Sequence, residues 1–372
     1  MKNQNRIVYY FFLLLDKIRI YVHNRFEKHV KPTDSNRIND FKIFLWQHLL
    51  HNLKFNKDGY FFNTAVKNKK SPMVLSQARV ILILTSFGKN EIGGIDNNFL
   101  IKELTNYLIK MRGNDGLFKF NQVSWNLQDE GIASVWSTLA LIKAYEKTNE
   151  GNYLNIAIST TEAMLKHLYT KETSLIHTFG DNFWCLNSAS TFAYSCCLLL
   201  EHYYSEDIVS AMNDSIKLCT EKIDEDGHFP YNLKRQGTYL LLYHPIVILT
   251  LEFCLSSKYL RDDVKTDLIS ANKKAINFLI KQIDNSNRIF EPEIKHYNQY
   301  IITNITSIVA LKGKINEDII NQMLYNIAKY LKDDTLFLCM DKKNELYNSD
   351  LYKVSDVLAI EVLYWLSIFE KI

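Results

Sequence analysis

One order of elements recurs six times along the 372 residues. A stretch with helical, amphipathic spacing comes first, then a loop built on Asp-Gly or a degenerate form of it beside an apolar anchor, then a nearly uncharged helical stretch. The six units pair 37–54 with 74–87, 99–111 with 132–148, 153–169 with 189–203, 208–223 with 241–255, 264–283 with 300–311, and 318–331 with 354–369. Their anchors are read as Phe62, Phe118, Ile176, Phe229, Phe290 and Phe337, roughly 50 to 60 residues apart, the range in which self-similarity means stacked supersecondary units. Helices apolar all round belong inside, and helices with one polar stripe belong outside. Six such pairs solve both needs as two concentric rings. Closing the ring also explains why no polar capping unit stands at either end, as an open solenoid would require.

The spacing fixes more than the fold. Every long connection runs from an outer to an inner helix, whereas returns such as 149–152 are short. All the long loops therefore gather at one end of the barrel, and function tends to sit on loops held by a rigid scaffold.

Composition narrows the class. The sequence holds only 12 Gly and 5 Pro, too few for many short strands with tight turns. A net charge of +3 with scattered Lys and Arg argues against nucleic acid as a partner. Cys185, Cys196, Cys197, Cys219, Cys254 and Cys339 form no CxxC and pair with no nearby His at zinc spacing, so neither a metal nor another cofactor is implied. That cysteine usage suits a reduced, cytoplasmic setting. No phosphate-cradling glycine loop and no nucleophile elbow is present.

The stretch Ala140-Leu141-Ile142-Lys143-Ala144-Tyr145-Glu146-Lys147-Thr148, followed by Asn152-Tyr153-Leu154, is similar to the hairpin corner of carbohydrate-active helical toroids. With the sixfold pattern, the chain resembles the all-α (α/α)6 superfamily of six-hairpin glycosidases, polysaccharide lyases, uronyl epimerases and terpenoid cyclases. The resemblance implies one toroid domain over 37–372, with 1–36 as an extra N-terminal helix packed on it. It further implies a cleft on the long-loop face that takes an oligo- or polysaccharide, in bacterial polysaccharide metabolism. The reaction expected is acid/base glycosidic hydrolysis, or elimination or epimerisation at a uronate. A terpenoid-cyclase-like enzyme and a non-catalytic glycan- or protein-binding toroid are the alternatives.

Hydrolysis needs two carboxylates across a cleft. Asp129 and Glu130, just ahead of the second apolar helix, are the first candidates, with Glu293 or Asp356 as the opposing acid. Aromatic faces stack on sugar rings, so Trp125 and Trp184 are candidate subsite walls, with His177 nearby in the third loop. A lyase or epimerase must instead hold a carboxylate and move the C5 proton. Tyr231, Arg235, Tyr239 and His244 in the fourth loop, with His296 and Tyr297 in the fifth, suit that chemistry. Each has a structural competitor: Asp129 can cap a helix, Glu130 can favour its dipole, and His244-Pro245 can simply begin one. The Asp224-Glu225-Asp226 run faintly resembles an alkene-protonating acidic cluster but sits in a turn.

At the N-terminus, Ile7–Leu15 is apolar but only nine residues long and is followed at once by Asp16, Lys17 and Arg19. That is too short to span a bilayer, and no small-residue cleavage site follows. The expectation is a helix packed on the body. The alternative is peripheral membrane contact through residues 6–31, where basic residues flank the aromatic run.

Overall fold

The computed structural model describes residues 34–66, 69–86, 90–122, 127–170, 175–176, 185–231, 233, 241–289, 299–333, 335–340, 345–347 and 355–371. Residues 1–33, most of the expected N-terminal helix, lie outside the described residues.

Twelve α-helices alternate between two rings among the described residues. The outer ring holds α1 (Asp34–Asn52), α3 (Asn97–Lys110), α5 (Gly151–His167), α7 (Glu206–Glu221), α9 (Asp262–Lys281) and α11 (Glu317–Ala328). The inner ring holds α2 (Val74–Ser86), α4 (Glu130–Thr148), α6 (Leu186–Leu200), α8 (His244–Cys254), α10 (Ile301–Leu311) and α12 (Ser355–Lys371). Each inner helix packs on the next, and α12 returns onto α2, so the ring closes. The chain is thus an (α/α)6 toroid. All of α10, from Ile301 through Leu311, is buried, as an inner-ring position requires. The outer α7 buries Ile208, Ala211, Met212, Ser215 and Ile216, one helical stripe. No helix among the described residues is long and apolar enough to cross a membrane.

Local chemistry sets the helix starts. Asp96 Oδ1 accepts from Phe99 N at 2.7 Å ahead of α3, and Asn316 Oδ1 accepts from Asp318 N at 2.7 Å ahead of α11. Pro245 occupies the first turn of α8, where a missing N–H costs nothing.

A side chain near the start of the inner helix grips the backbone of the anchor residue before it. Gln77 Nε2 donates to Phe62 O at 2.7 Å. Ser134 Oγ accepts from Phe118 N at 3.0 Å, and His244 Nδ1 accepts from Phe229 N at 3.1 Å. In the fifth unit Asn304 holds both backbone groups of Ile289, at 3.1 and 3.2 Å. Four different residue types perform one task, satisfying buried backbone groups of the anchor residues.

Burial, with the clamp in the fifth unit, corrects two anchors. Ile289 is fully buried and clamped, so the fifth anchor is Ile289; Phe290 lies outside the described residues. In the sixth unit Leu336 is fully buried while Phe337 is only half-buried. For the fifth anchor the reason is turn geometry: Asn287 (φ 56°) takes the left-handed conformation that glycine takes elsewhere. Counting from Asn287 puts the fifth anchor two residues on, matching Gly116 to Phe118 and Gly227 to Phe229.

The ring is sealed by a polar seam. Asn52 Nδ2 of α1 donates to Asp356 Oδ1 of α12 at 3.1 Å, and His48 Nε2 bonds the same carboxylate oxygen. The connections, loops by their sequence, carry short antiparallel hairpins. One is the three-stranded Leu53–Asn56, Gly59–Val66, Lys69–Pro72 sheet; another pairs Phe120–Gln122 with Leu127–Asp129.

Gly227, in the turn after α7, packs closely on α9. Its φ is +99°, and a Cβ there would sit 2.5 Å from Lys274 O of α9, a backbone atom that cannot swing away. Gly227→Ala is expected to cost roughly 1–3 kcal/mol for the conformation and about 1–3 kcal/mol more for the overlap. Gly151→Ala, at the open first turn of α5 where a Cβ meets nothing within 4 Å, is expected to gain about 0.5–1 kcal/mol. Urea unfolding of the two variants checks the contrast; equal midpoints would show that α9 gives way freely.

Candidate active site

The inner helices run from the long-loop face toward the short returns, so their first turns line the mouth at the long-loop face. Just below it, inner helices and the residues that introduce them contribute to one axial cluster. Arg79 is the only charge in α2, and Glu361 lies mid-way along α12. Arg79 Nη2 donates to Glu361 Oε1 at 3.0 Å, with the side chains only 11% and 8% exposed. The guanidinium lies over the Trp136 ring of α4, 5.4 Å from its centroid. Trp136 meets Tyr364 edge-on at 5.3 Å and Trp365 at 6.4 Å, both on α12. Positions 361, 364, 365 and 368 form one helical stripe, which explains why a charge and two large aromatics share a side.

Tyr231 and Tyr243 complete the cluster at the head of α8. Their rings stack at 4.6 Å with 13° between planes, and both are half-buried. Burial pushes the Tyr243 phenol well above its ordinary value, with the nearby Glu361 carboxylate and Cys185 pushing the same way and Arg79 opposing. Burial raises Tyr231 further, helped by Tyr243 and Cys185. Both phenols are therefore held as neutral O–H donors. Among the described residues, Arg79 Nε and Trp365 Nε1 are buried donors with no hydrogen-bond partner, and native interiors rarely leave such groups unspent.

The residues expected from sequence separate sharply. Tyr231 joins the axial cluster. His244 is wholly buried, and both ring nitrogens are engaged by backbone: Nδ1 accepts from Phe229 N, and Nε2 lies 3.1 Å from Ala275 O. It serves the anchor clamp. Asp356 is bonded to His48 and Asn52 of the outer helix α1; five residues from Glu361, it is turned about 140° away around α12. It serves the seam. Asp129 closes a hairpin opposite Phe120, and Glu130 is the first residue of α4; their side chains lie outside the described ones. Trp125, His177, Trp184, Arg235, Tyr239, Glu293, His296 and Tyr297 also lie outside the described residues. The acids at 224–226 form the turn after α7, where Asp226 Oδ1 accepts from His228 N at 3.2 Å.

Sequence reasoning missed Arg79 and Glu361 and gave Trp136 no part in a site. A signal was there: one arginine inside VLSQARVILILTS and one glutamate inside DVLAIEVLYWL. A charge on a helix that must be buried all round needs a partner, and these two are each other's.

No family model and no curated protein matches the sequence. Solved structures do match it in fold. A cellobiose 2-epimerase from Bacillus thermoamylovorans is 10% identical, covering 91% of this chain and all of its own, with a TM-score of 0.68. An unsaturated glucuronyl hydrolase specific for heparin is 9% identical over 90% of this chain and 96% of its own, with a TM-score of 0.65. A GH76 α-mannanase from Bacteroides thetaiotaomicron is 12% identical over 90% and 96%, with a TM-score of 0.57. These neighbours are (α/α)6 toroids, and so is this chain.

Proposed function

We propose that this toroid is a carbohydrate-active enzyme that binds an oligo- or polysaccharide at its long-loop face and works on it above the Arg79–Glu361 pair. The observation that carries this reading is that pair itself, buried against Trp136 and close to Tyr243 of the Tyr231–Tyr243 stack. Aromatic walls suit the C–H faces of a sugar, and a guanidinium with an unspent N–H suits its hydroxyl or carboxylate oxygens. The solved neighbours of the same fold, by their names, act on sugars, which agrees with it.

The arrangement supports proton transfer at a sugar carbon, by epimerisation or elimination, above direct hydrolysis. Arg79 would hold the oxyanion that develops when a proton leaves the neighbouring carbon, Glu361 would take that proton, and Tyr243, kept protonated by burial, would donate to oxygen. Hydrolysis is the second reading. It needs a carboxylate opposite Glu361, and Glu130, opening α4 on the same face, is the proposed one, with Asp129 and Glu293 next. A sugar-binding toroid without catalysis is favoured by one feature, the closure of the axis by Trp136, Tyr364 and Trp365. A cytoplasmic enzyme carried to a membrane surface by residues 6–31 fits the same proposal.

The test is a panel of neutral and uronate-containing oligosaccharides, followed by chromatography and by ultraviolet absorbance for an unsaturated product. Wild type is expected to turn over at least one member, and Glu361→Gln to lose about 10²- to 10⁴-fold in kcat/KM. Binding with no turnover in wild type would move the protein to the binding class. Full turnover in Glu361→Gln would sink the role given to that residue.

A further inference from the structure

At the other end of the axis, where the inner helices finish, lies a second concavity of about 350 Å³. Its floor is apolar and aromatic: Leu139, Tyr194, Phe253 and Tyr364. Tyr194 and Phe253 form a continuous wall, ring centroids 5.0 Å apart. Tyr364 belongs to both ends, since its ring meets Trp136 of the axial cluster. One aromatic layer therefore separates this concavity from the long-loop site. Its size falls within the range of small-molecule sites, and it is about twice the roughly 150 Å³ cavity that accepts benzene, so a two-ring body or a short alkyl chain fits.

The rim carries Lys143, Glu146 and Lys147. Glu146 is fully spent: Oε2 accepts from Lys143 Nζ at 2.6 Å, and Oε1 faces His202 Nε2 at 3.2 Å. Lys147 makes no ion pair among the described residues, which leaves the rim one positive charge in surplus. The C-terminal ends of five inner helices also face this mouth, and their carbonyls bias it negative. The sign of any charged ligand therefore depends on the two lysines of α4's last turns.

We propose that this concavity is a second binding site, distinct from the sugar-acting mouth, for a small amphiphile: an aryl or short-alkyl body carrying one anionic group. The body lies against Tyr194, Phe253 and Tyr364, and the anion meets Lys147 with Lys143 behind it. The arrangement is that of most ligand pockets, an apolar interior with a few convergent polar groups at one edge.

The probe is 8-anilinonaphthalene-1-sulfonate, titrated into the full chain by fluorescence and by calorimetry for stoichiometry, with 1-naphthylmethylammonium as the cationic counterpart. One sulfonate per chain is expected to bind. Lys147→Glu, an exposed change, is expected to weaken it about tenfold, the scale of an exposed charge contact made and then reversed, and to strengthen the ammonium. Ser86→Trp, which fills the mouth, should abolish both. Absence of one-to-one sulfonate binding, or binding indifferent to Lys147→Glu, overturns the proposal. Neither arm depends on turnover of a sugar.

Discussion

Glu361→Leu alone is expected to lower the unfolding free energy by about 3–5 kcal/mol. The substitution leaves the Arg79 guanidinium, 11% exposed, without its carboxylate. Among the described residues, the Trp136 face remains to stabilise it, at roughly 0.5–2 kcal/mol. Replacing both partners, Arg79→Met with Glu361→Leu, removes the stranded charge along with the ion pair. Desolvation of two charges then no longer opposes their attraction, and the double variant is expected to match or exceed wild type by about 1–4 kcal/mol. Urea unfolding of the two single variants and the double closes the cycle and isolates the coupling. A Glu361→Leu variant within about 1 kcal/mol of wild type would mean that the guanidinium finds water, contrary to its burial.

The same cycle bears on function. A pair whose removal leaves the fold at least as stable is retained for something other than stability. If the double variant folds and no longer turns over saccharide, the failure is chemical. That distinction cannot be made at Asp356, where loss of the bonds to His48 and Asn52 is expected to weaken the ring closure and any activity together.

The architecture was readable because burial imposes its own arithmetic on a helix. A helix inside a ring has no wet face, so α10 reads IITNITSIVAL without one charge, and six such stretches at regular spacing admit few other solutions. The starts read at 99 and 318 fall within two residues of the helices that Asp96 and Asn316 cap. The fifth anchor shifted because Asn287 does a glycine's work, and residue type alone does not announce a positive φ. The hairpins in the long connections were illegible because two- to four-residue ladders carry almost no periodic signal.

The site was harder for a different reason. Asp129, Glu130 and Asp356 drew attention as acids at the right end of the chain's units, but a carboxylate at a helix start has a structural use as often as a chemical one. Asp356 spends its charge on the seam. Arg79 and Glu361 stood 282 residues apart in helices chosen for their lack of charge. The inference that would have found them runs the other way: a buried charge on an apolar helix demands an opposite one, and only one other inner helix offers a mid-helix acid that the short-return rim does not already hold. Tyr231 was reached by its loop, and its partner Tyr243 was taken only as helix.

Acid should unfold this toroid steeply, and the clamp of the fourth unit is the reason. Burial holds His228 down to about 4, and burial with the neighbouring His228 ring holds His244 down to about 3. The two rings lie 5.2 Å apart, both packed on Phe278 of α9. In the unfolded chain each titrates near 6.5. Both folded values lie below the unfolded one, so the unfolded chain takes up protons first. Stability is therefore complete above about pH 6.5 and falls as the pH drops, until about 4 for His228 and about 3 for His244. At about 1.4 kcal/mol for each pH unit separating folded from unfolded titration, the loss is on the order of 3–5 kcal/mol for each ring. Proton uptake is resisted because Nδ1 of His244 already accepts from Phe229 N; an imidazolium there would point two donors at one another and release the anchor. Urea midpoints measured from pH 7.5 to 4 should fall along a slope approaching two protons in wild type. His228→Phe, which keeps the ring against Phe278, should remove about half of that slope. An unchanged slope in this variant would mean that carboxylates, and not the buried imidazoles, set the acid limit.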